Sequence, residues 1–438
     1  MNKDFSIDST FKLHDEKQYK DPYECSVQSI SRQIDGKLIV GGNFNEINGL
    51  IANNIARLNM DGSFDVTFNQ RRGCNGSVFA LAKQANGRLI IGGEFSRYNY
   101  QFRSNLVRLK ENGSLDASFN TGTGPNGKVN TVIVQSNGKI LIGGSFTSYN
   151  GIPCGNIARL NSDGSIDTHF YVSTDGEVRK IIIDKDGRAI IAGDFENING
   201  NPRPAIARIR TNGKVDTTFN PTIEAYGRGY DVKVSSRGKI YLAVIYQGGL
   251  FSFGTDIYCL NKSGTRDASF NIPTGNFHRI NTLAFNNDNK LLAGGTTNIS
   301  SHFSGLAGIV AQFNADGSID STFRYWEVSD ALNSYVRTID VLENDKIVVG
   351  GDFTTNEYAP FNHIGLLNSD GSINMDFEGT AGNSVFATVP VRNDKLIIGG
   401  SFSEYATEVR NGIARIDVTV PAEERKNNAL AASQSVDK

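Results

Sequence analysis

The chain has 438 residues, 39% of them hydrophobic and 21% charged, with a formal net charge of −2 at pH 7. That balance suits a chain that buries a core, and it offers no basic footprint for nucleic acid. Glycine is abundant (47) and proline scarce (10), as in short strands joined by tight turns. No run approaches the roughly 18 apolar residues that a membrane span needs.

In chain order, the first recognisable phrase is FSIDSTF at 5–11, in a polar opening that lacks the apolar core of a signal peptide. DGKLIVGGNF at 35–44 follows: a turn, a basic residue, a short apolar run and Gly-Gly-x-Phe. NIARLN at 54–59 alternates as a strand does, and DGSFDVTF at 61–68 restates the opening phrase. VFALAKQ at 78–84 starts a second round, through NGRLIIGGEF, NLVRLK and NGSLDASF, and VNTVIVQ at 129–135 starts a third. The basic residue of the glycine phrase recurs at 37, 88, 139, 188, 239, 290, 346 and 395, in steps of 51, 51, 49, 51, 51, 56 and 49.

Each unit predicts three strands and a short fourth, with no sustained helical period. A sheet that small cannot cover both its faces, so units must stack on their neighbours. The expected fold is all-β: a single closed β-propeller of about eight four-stranded blades over residues 1–420. The last unit ends at NGIARIDVTV (411–420) without its own DGSxDxxF phrase, while the chain begins with an orphan copy of it. The N-terminal strand is therefore expected to pair with the last blade and close the ring. Residues 421–438 form a polar tail outside the repeat.

These paired phrases, GGxF and DGSxDxxF, resemble the delta-60 repeat, a family of β-propeller repeats common in bacterial secreted proteins and found in some phage proteins. The resemblance spans residues 5–417. It implies the propeller fold and no settled activity, since fold does not fix function.

Several motifs carry two readings. Asn59-x-Asp61-Gly62-Ser63-x-Asp65 has the look of a calcium loop, but Lys110 or Arg210 takes the first position in other copies, which favours an Asx-type turn whose second Asp accepts backbone N–H bonds. The Gly-Gly pairs precede no helix, so they read as a strand bend or close packing against the next blade rather than a phosphate cradle. Fourteen phenylalanines recur at equivalent places and read as packing between blades. Cys25, Cys74, Cys154 and Cys259 read as isolated thiols, and the five histidines show no ligand spacing. No cofactor, no metal site and no catalytic set are expected.

The repeat breaks down in units five to seven. Tyr246, Phe251, Phe253, His302, Phe303, Tyr325, Trp326 and Tyr335 gather there in irregular connections, the usual material of a recognition surface on a rigid scaffold. Local packing of a drifted repeat is the other reading. The expected function is a non-enzymatic structural or binding module of a phage virion or tail, serving assembly or host contact. Its partners would be other protein subunits or a glycan, and symmetric copies would follow from a place in a virion. The alternatives are an exported or surface bacterial propeller that binds glycan or protein, and a hydrolase or lyase with its site at the channel mouth.

Overall fold

The computed structural model describes residues 7–11, 25–47, 49–68, 73–223, 227–248, 252–273, 277–298, 306–324, 326–328, 334–354, 362–377, 379–391 and 395–418. Among them are eight antiparallel sheets of three or four strands, five two-stranded ribbons and no helix. Sheet one holds Cys25–Arg32, Leu38–Phe44 and Ile55–Leu58. The first strands of the others are Val78–Lys83, Lys128–Val134, Val178–Ile183, Gly227–Val234, Arg279–Phe285, Tyr335–Val341 and Val385–Val391. Each first strand packs on the first strand of the next sheet, and that of sheet eight packs on that of sheet one.

The Gly-Gly pair explains this stacking. A Cβ on Gly41 would meet Cγ1 of Val78 in the next sheet at 2.6 Å, and one on Gly399 of sheet eight would meet Cγ1 of Val27 in sheet one at 2.7 Å. The second glycine answers a different demand. The first strand bulges between Val27 and Ser29, and a Cβ on Gly42 would lie 1.9 Å from the carbonyl oxygen of Ser26. Both halves of the expected reading, bend and close packing, are therefore present in one dipeptide. Of the fourteen recurring phenylalanines, thirteen are buried and Phe170 is half-buried.

The fourth strand expected in each unit takes a reduced form. The DGSxDxxF phrase makes one bridge to the third strand, such as Leu58 to Phe64 or Leu109 to Leu115. It then turns away, because the Thr67 amide and hydroxyl both bond Oδ1 of Asp65 at 3.0 and 2.6 Å. Only sheet six, among the described residues, has a fourth strand, Trp326–Val328, opposite Gly308–Val310.

The orphan phrase at the N-terminus occupies the same place in sheet eight. Ile7 bridges Ile416, and the amide of Asp8 donates to the carbonyl of Arg415 at 3.0 Å. The polar tail from residue 419 onward lies outside the described residues.

Candidate functional site

Two arrangements grow out of the repeat, one structural and one variable. The structural one is centred on the second Asp of the DGSxDxxF phrase. Arg57, Arg108, Arg159 and Arg208 of the third strands reach Asp65, Asp116, Asp167 and Asp216 through Nε at 2.8, 2.7, 2.7 and 2.8 Å. A further nitrogen of each donates to a turn carbonyl of the next sheet: Glu111 at 2.5 Å, Ser162, Thr211 at 2.8 Å and Lys262 at 2.6 Å. Each guanidinium also lies over the phenylalanine that ends the phrase, 4.5 to 5.2 Å from the ring centre. Arg415 of sheet eight repeats the pattern across the chain ends, with Asp8 at 2.6 Å, the Met60 carbonyl of sheet one and the Phe11 ring. We call this arrangement the latch.

The basic residue of the glycine phrase also reaches this Asp in most sheets, as Lys37 does to Asp65 at 2.7 Å and Lys139 to Asp167 at 2.8 Å. Burial alone would raise the Asp167 carboxyl. The hydrogen bonds from Lys139, the His169 amide and Arg159 outweigh it and hold Asp167 at about 2. Asp8, Asp65 and Asp216 are lowered further by the same kind of partners. The Asx-turn reading was thus correct about the backbone bonds and incomplete about the acid, which also anchors two cations.

The variable arrangement lies at the start of the first strands. One position after the interblade residue (Val27, Val78, Val129, Val178, Gly229, Ile280, Val336, Val385) the repeat never settles, giving Gln28, Phe79, Asn130, Arg179, Tyr230, Asn281, Arg337 and Phe386. From sheet three onward these side chains join the residues two places earlier into a belt of contacts. Asn130 Nδ2 donates to Glu177 at 2.8 Å, and Lys128 pairs with the same carboxylate at 2.9 Å. Arg179 forks onto Asp194 with two bonds of 2.7 Å and lies 4.9 Å from the centre of the Tyr230 ring. Arg279 lies 4.5 Å from the same ring, so two guanidinium groups share one tyrosine. Asn281 donates to the Val336 carbonyl at 2.9 Å, and Arg337 bonds Asp352 while lying against Tyr335 and Phe386.

Electrostatics fix most of this belt. Burial would raise the Glu177 carboxyl, but Asn130 and Lys128 hold it below its ordinary value. The fork to Asp194 outweighs burial and raises Arg179 further, so it stays charged. Deeper on the first strands, burial pushes Asp340 up against a hydrogen bond from Thr388 and the charge of Lys233, while Asp231 receives Lys180 and the Leu283 amide. Among the described residues no group of three or more His, Cys, Asp or Glu could hold a metal ion.

The aromatic sector expected from the sequence is only partly in view. Tyr335 joins the belt through Arg337. Tyr246 pairs within sheet five, its ring 6.4 Å from that of Tyr258 and its hydroxyl bonded to the Tyr258 hydroxyl. Phe253 is in the strand Ser252–Leu260 and Trp326 in Trp326–Val328, but their side chains lie outside the described residues, as do Phe251, His302, Phe303 and Tyr325 altogether. The belt itself was missed. Its signal was available at the start of the first strands, where the residue type changes from unit to unit.

Repeated small sheets stacked through glycine and valine define a β-propeller repeat protein. Residues 33–68, 84–119, 135–170, 185–219, 287–323, 343–377 and 392–418 match a domain of unknown function described as the DUF5122 β-propeller, and the chain belongs to that family. No curated protein sequence matches the chain. Among solved structures it is similar to a streptogramin B lyase, with 13% identity over 78% of this chain and 93% of that one and a TM-score of 0.41. A puromycin hydrolase gives 11% identity over 91% and 61%, with a TM-score of 0.44. The GH74 xyloglucanase from Xanthomonas campestris gives 10% identity over 90% and 66%, with a TM-score of 0.39.

Proposed function

We propose that the eight sheets are the blades of one closed propeller, sealed by residues 7–11, and that this propeller is a binding module rather than an enzyme. Support for closure comes from Asp8, which takes Lys395 and Arg415 as Asp65 takes Lys37 and Arg57. The carrying observation for binding is the belt: arginine, aromatic and amide groups fill a variable position of the repeat, on rigid strands at one end of the ring. Such groups suit a protein or glycan partner. A delta-60 protein of a phage particle and an exported bacterial one would both use this face outside a cell.

Glycan-array binding of the full chain against Tyr230→Ala and Arg337→Ala tests the reading. Loss of at least tenfold in affinity with unchanged thermal melting is expected, and undiminished binding by both variants would refute it. Asp340 favours a second reading, acid–base chemistry deeper in the channel, because burial raises its carboxyl beside the Thr388 hydroxyl. Ester and lactone hydrolysis that disappears in Asp340→Asn would support that alternative.

A further inference from the structure

The belt distributes its charges unevenly. Lys128 has Glu177, Arg179 has Asp194, and Arg337 has Asp352. Arg279 differs from all three. It is half-buried, its Nε is buried without an acceptor, and its only described contact is the face of Tyr230. The other two arginines with a buried unpaired Nε, Arg203 and Arg410, each donate from another nitrogen to a neighbouring carbonyl. A desolvated Nε without an acceptor is a costly arrangement, and an oxyanion arriving at this guanidinium would relieve it.

We propose that Arg279 is the anion-recognition residue of this belt and that its ligand is an acidic saccharide, a sugar that carries a carboxylate or sulfate; this rests on the belt being the recognition face. The guanidinium presents a planar fork, which matches such an oxyanion with two parallel hydrogen bonds. Tyr230 holds one face of that fork, so the plane is set before the ligand arrives. Exposed Arg228, also at the start of a first strand, adds a second positive charge in sheet five. Tyr335 and Phe386 continue the belt in sheets seven and eight, both beside Arg337. Glu177, Asp194 and Asp352 along the same belt are each paired with other cations, which leaves Arg279 and Arg228 for an anionic group on a sugar.

The test measures binding of the full chain to polygalacturonate, dextran sulfate and neutral dextran, with Arg279→Gln, Arg279→Lys, Arg228→Gln and Tyr230→Ala. At least one charged polymer is expected to bind tenfold or more tightly than dextran, and the two polymers tell carboxylate from sulfate. Arg279→Gln should weaken that binding at least tenfold, Arg279→Lys less, and Arg228→Gln less than threefold, all with unchanged melting. No binding of either charged polymer overturns the assignment. Equal binding of dextran that is lost in Tyr230→Ala overturns it too, but leaves the belt as the recognition face. Charged-polymer binding indifferent to both Arg279→Gln and Tyr230→Ala would remove both.

Discussion

Sheets one to four and sheet eight hold their neighbours through a latch arginine, whereas sheets five to seven do not. In the first group an arginine of the third strand joins a buried Asp to the next sheet's backbone. In the second group the arginine's place is taken by Cys259, Gln312 and Leu366. Apolar packing fills the space instead. Tyr241 stacks edge-on against Phe270 and Phe285, 5.4 and 5.5 Å away, and one apolar cluster runs from Ala284 through sheets seven and eight to Val418. The backbone link between sheets survives, as in the Asn271 amide to Asp316 at 2.8 Å, which matches Asn120 to Asp163 at 2.7 Å. The same stacking geometry thus tolerates two chemistries at its seams. Sheet seven changes both partners, to Leu366 and Asn374, whereas sheets five and six keep Asp267 and Asp320, which Lys239 and Lys290 still neutralise.

The largest expected effect comes from breaking one latch by half. Arg108→Leu leaves buried Asp116 with only the longer contact to Arg88, at 3.3 Å, and should cost about 3 kcal/mol of unfolding free energy. Adding Asp116→Asn copies Leu366 and Asn374 of sheet seven and should recover most of the loss. A double variant as unstable as the single one would break the comparison.

A smaller effect lies at the seam between sheets four and five, where the packing is reversed. There the glycine is Gly229 of the first strand, and a Cβ on it would meet the Cβ of Ala192 at 3.2 Å and the Ala205 carbonyl at 2.6 Å. Gly229→Val should cost about 1–3 kcal/mol by overpacking. Ala192→Gly added to it restores the glycine–valine pairing of the regular seams and should return part of that stability, as read by urea unfolding.

Acid sharpens the contrast further. The latch carboxyls have folded values below their unfolded one, so their stabilising contribution is complete at neutral pH and is lost as pH falls. For Asp167, held at about 2, the loss falls between roughly pH 4 and pH 2. Sheet seven has Asn374 in that place and contributes nothing to this slope. Asp167→Asn should therefore flatten the acid limb of a pH–stability curve, and an unchanged limb would mean that the latches do not set it. The smallest effect is expected at the exposed edge of the belt, where Arg337→Ala should stay within about 0.5 kcal/mol of the unaltered chain.

Much of this fold was legible because repetition amplifies weak signals. One Gly-Gly pair says little, yet six pairs at recurring intervals, five of them followed by x-Phe, place a whole sheet against its neighbour. The orphan FSIDSTF phrase was enough to expect the first residues beside the last unit, where Ile7 bridges Ile416. The latch was hidden because its partners lie in different units: Arg57 and Glu111 are brought together by stacking alone. The belt was hidden for the opposite reason, since a search for recurring residues passes over a place where the residue type keeps changing. Aromatic content drew attention to Trp326 and its neighbours, whereas Arg279 and Tyr230 sit in strands that look ordinary one at a time.

Hydrogen–deuterium exchange of the full chain, followed at pH 7 and after brief exposure to about pH 2.5, tests closure and the two kinds of seam together. At pH 7 the strands Cys25–Arg32 and Lys395–Gly400 should be protected as well as those of sheets two to four. After acid they should open first, with residues 7–11, while Ile347–Asp352 of sheet seven, which has Asn374 in place of the carboxyl, keeps its protection. Free exchange of sheets one and eight at pH 7, or loss of sheet seven before them in acid, would contradict a ring sealed by charge at one side and by apolar packing at the other.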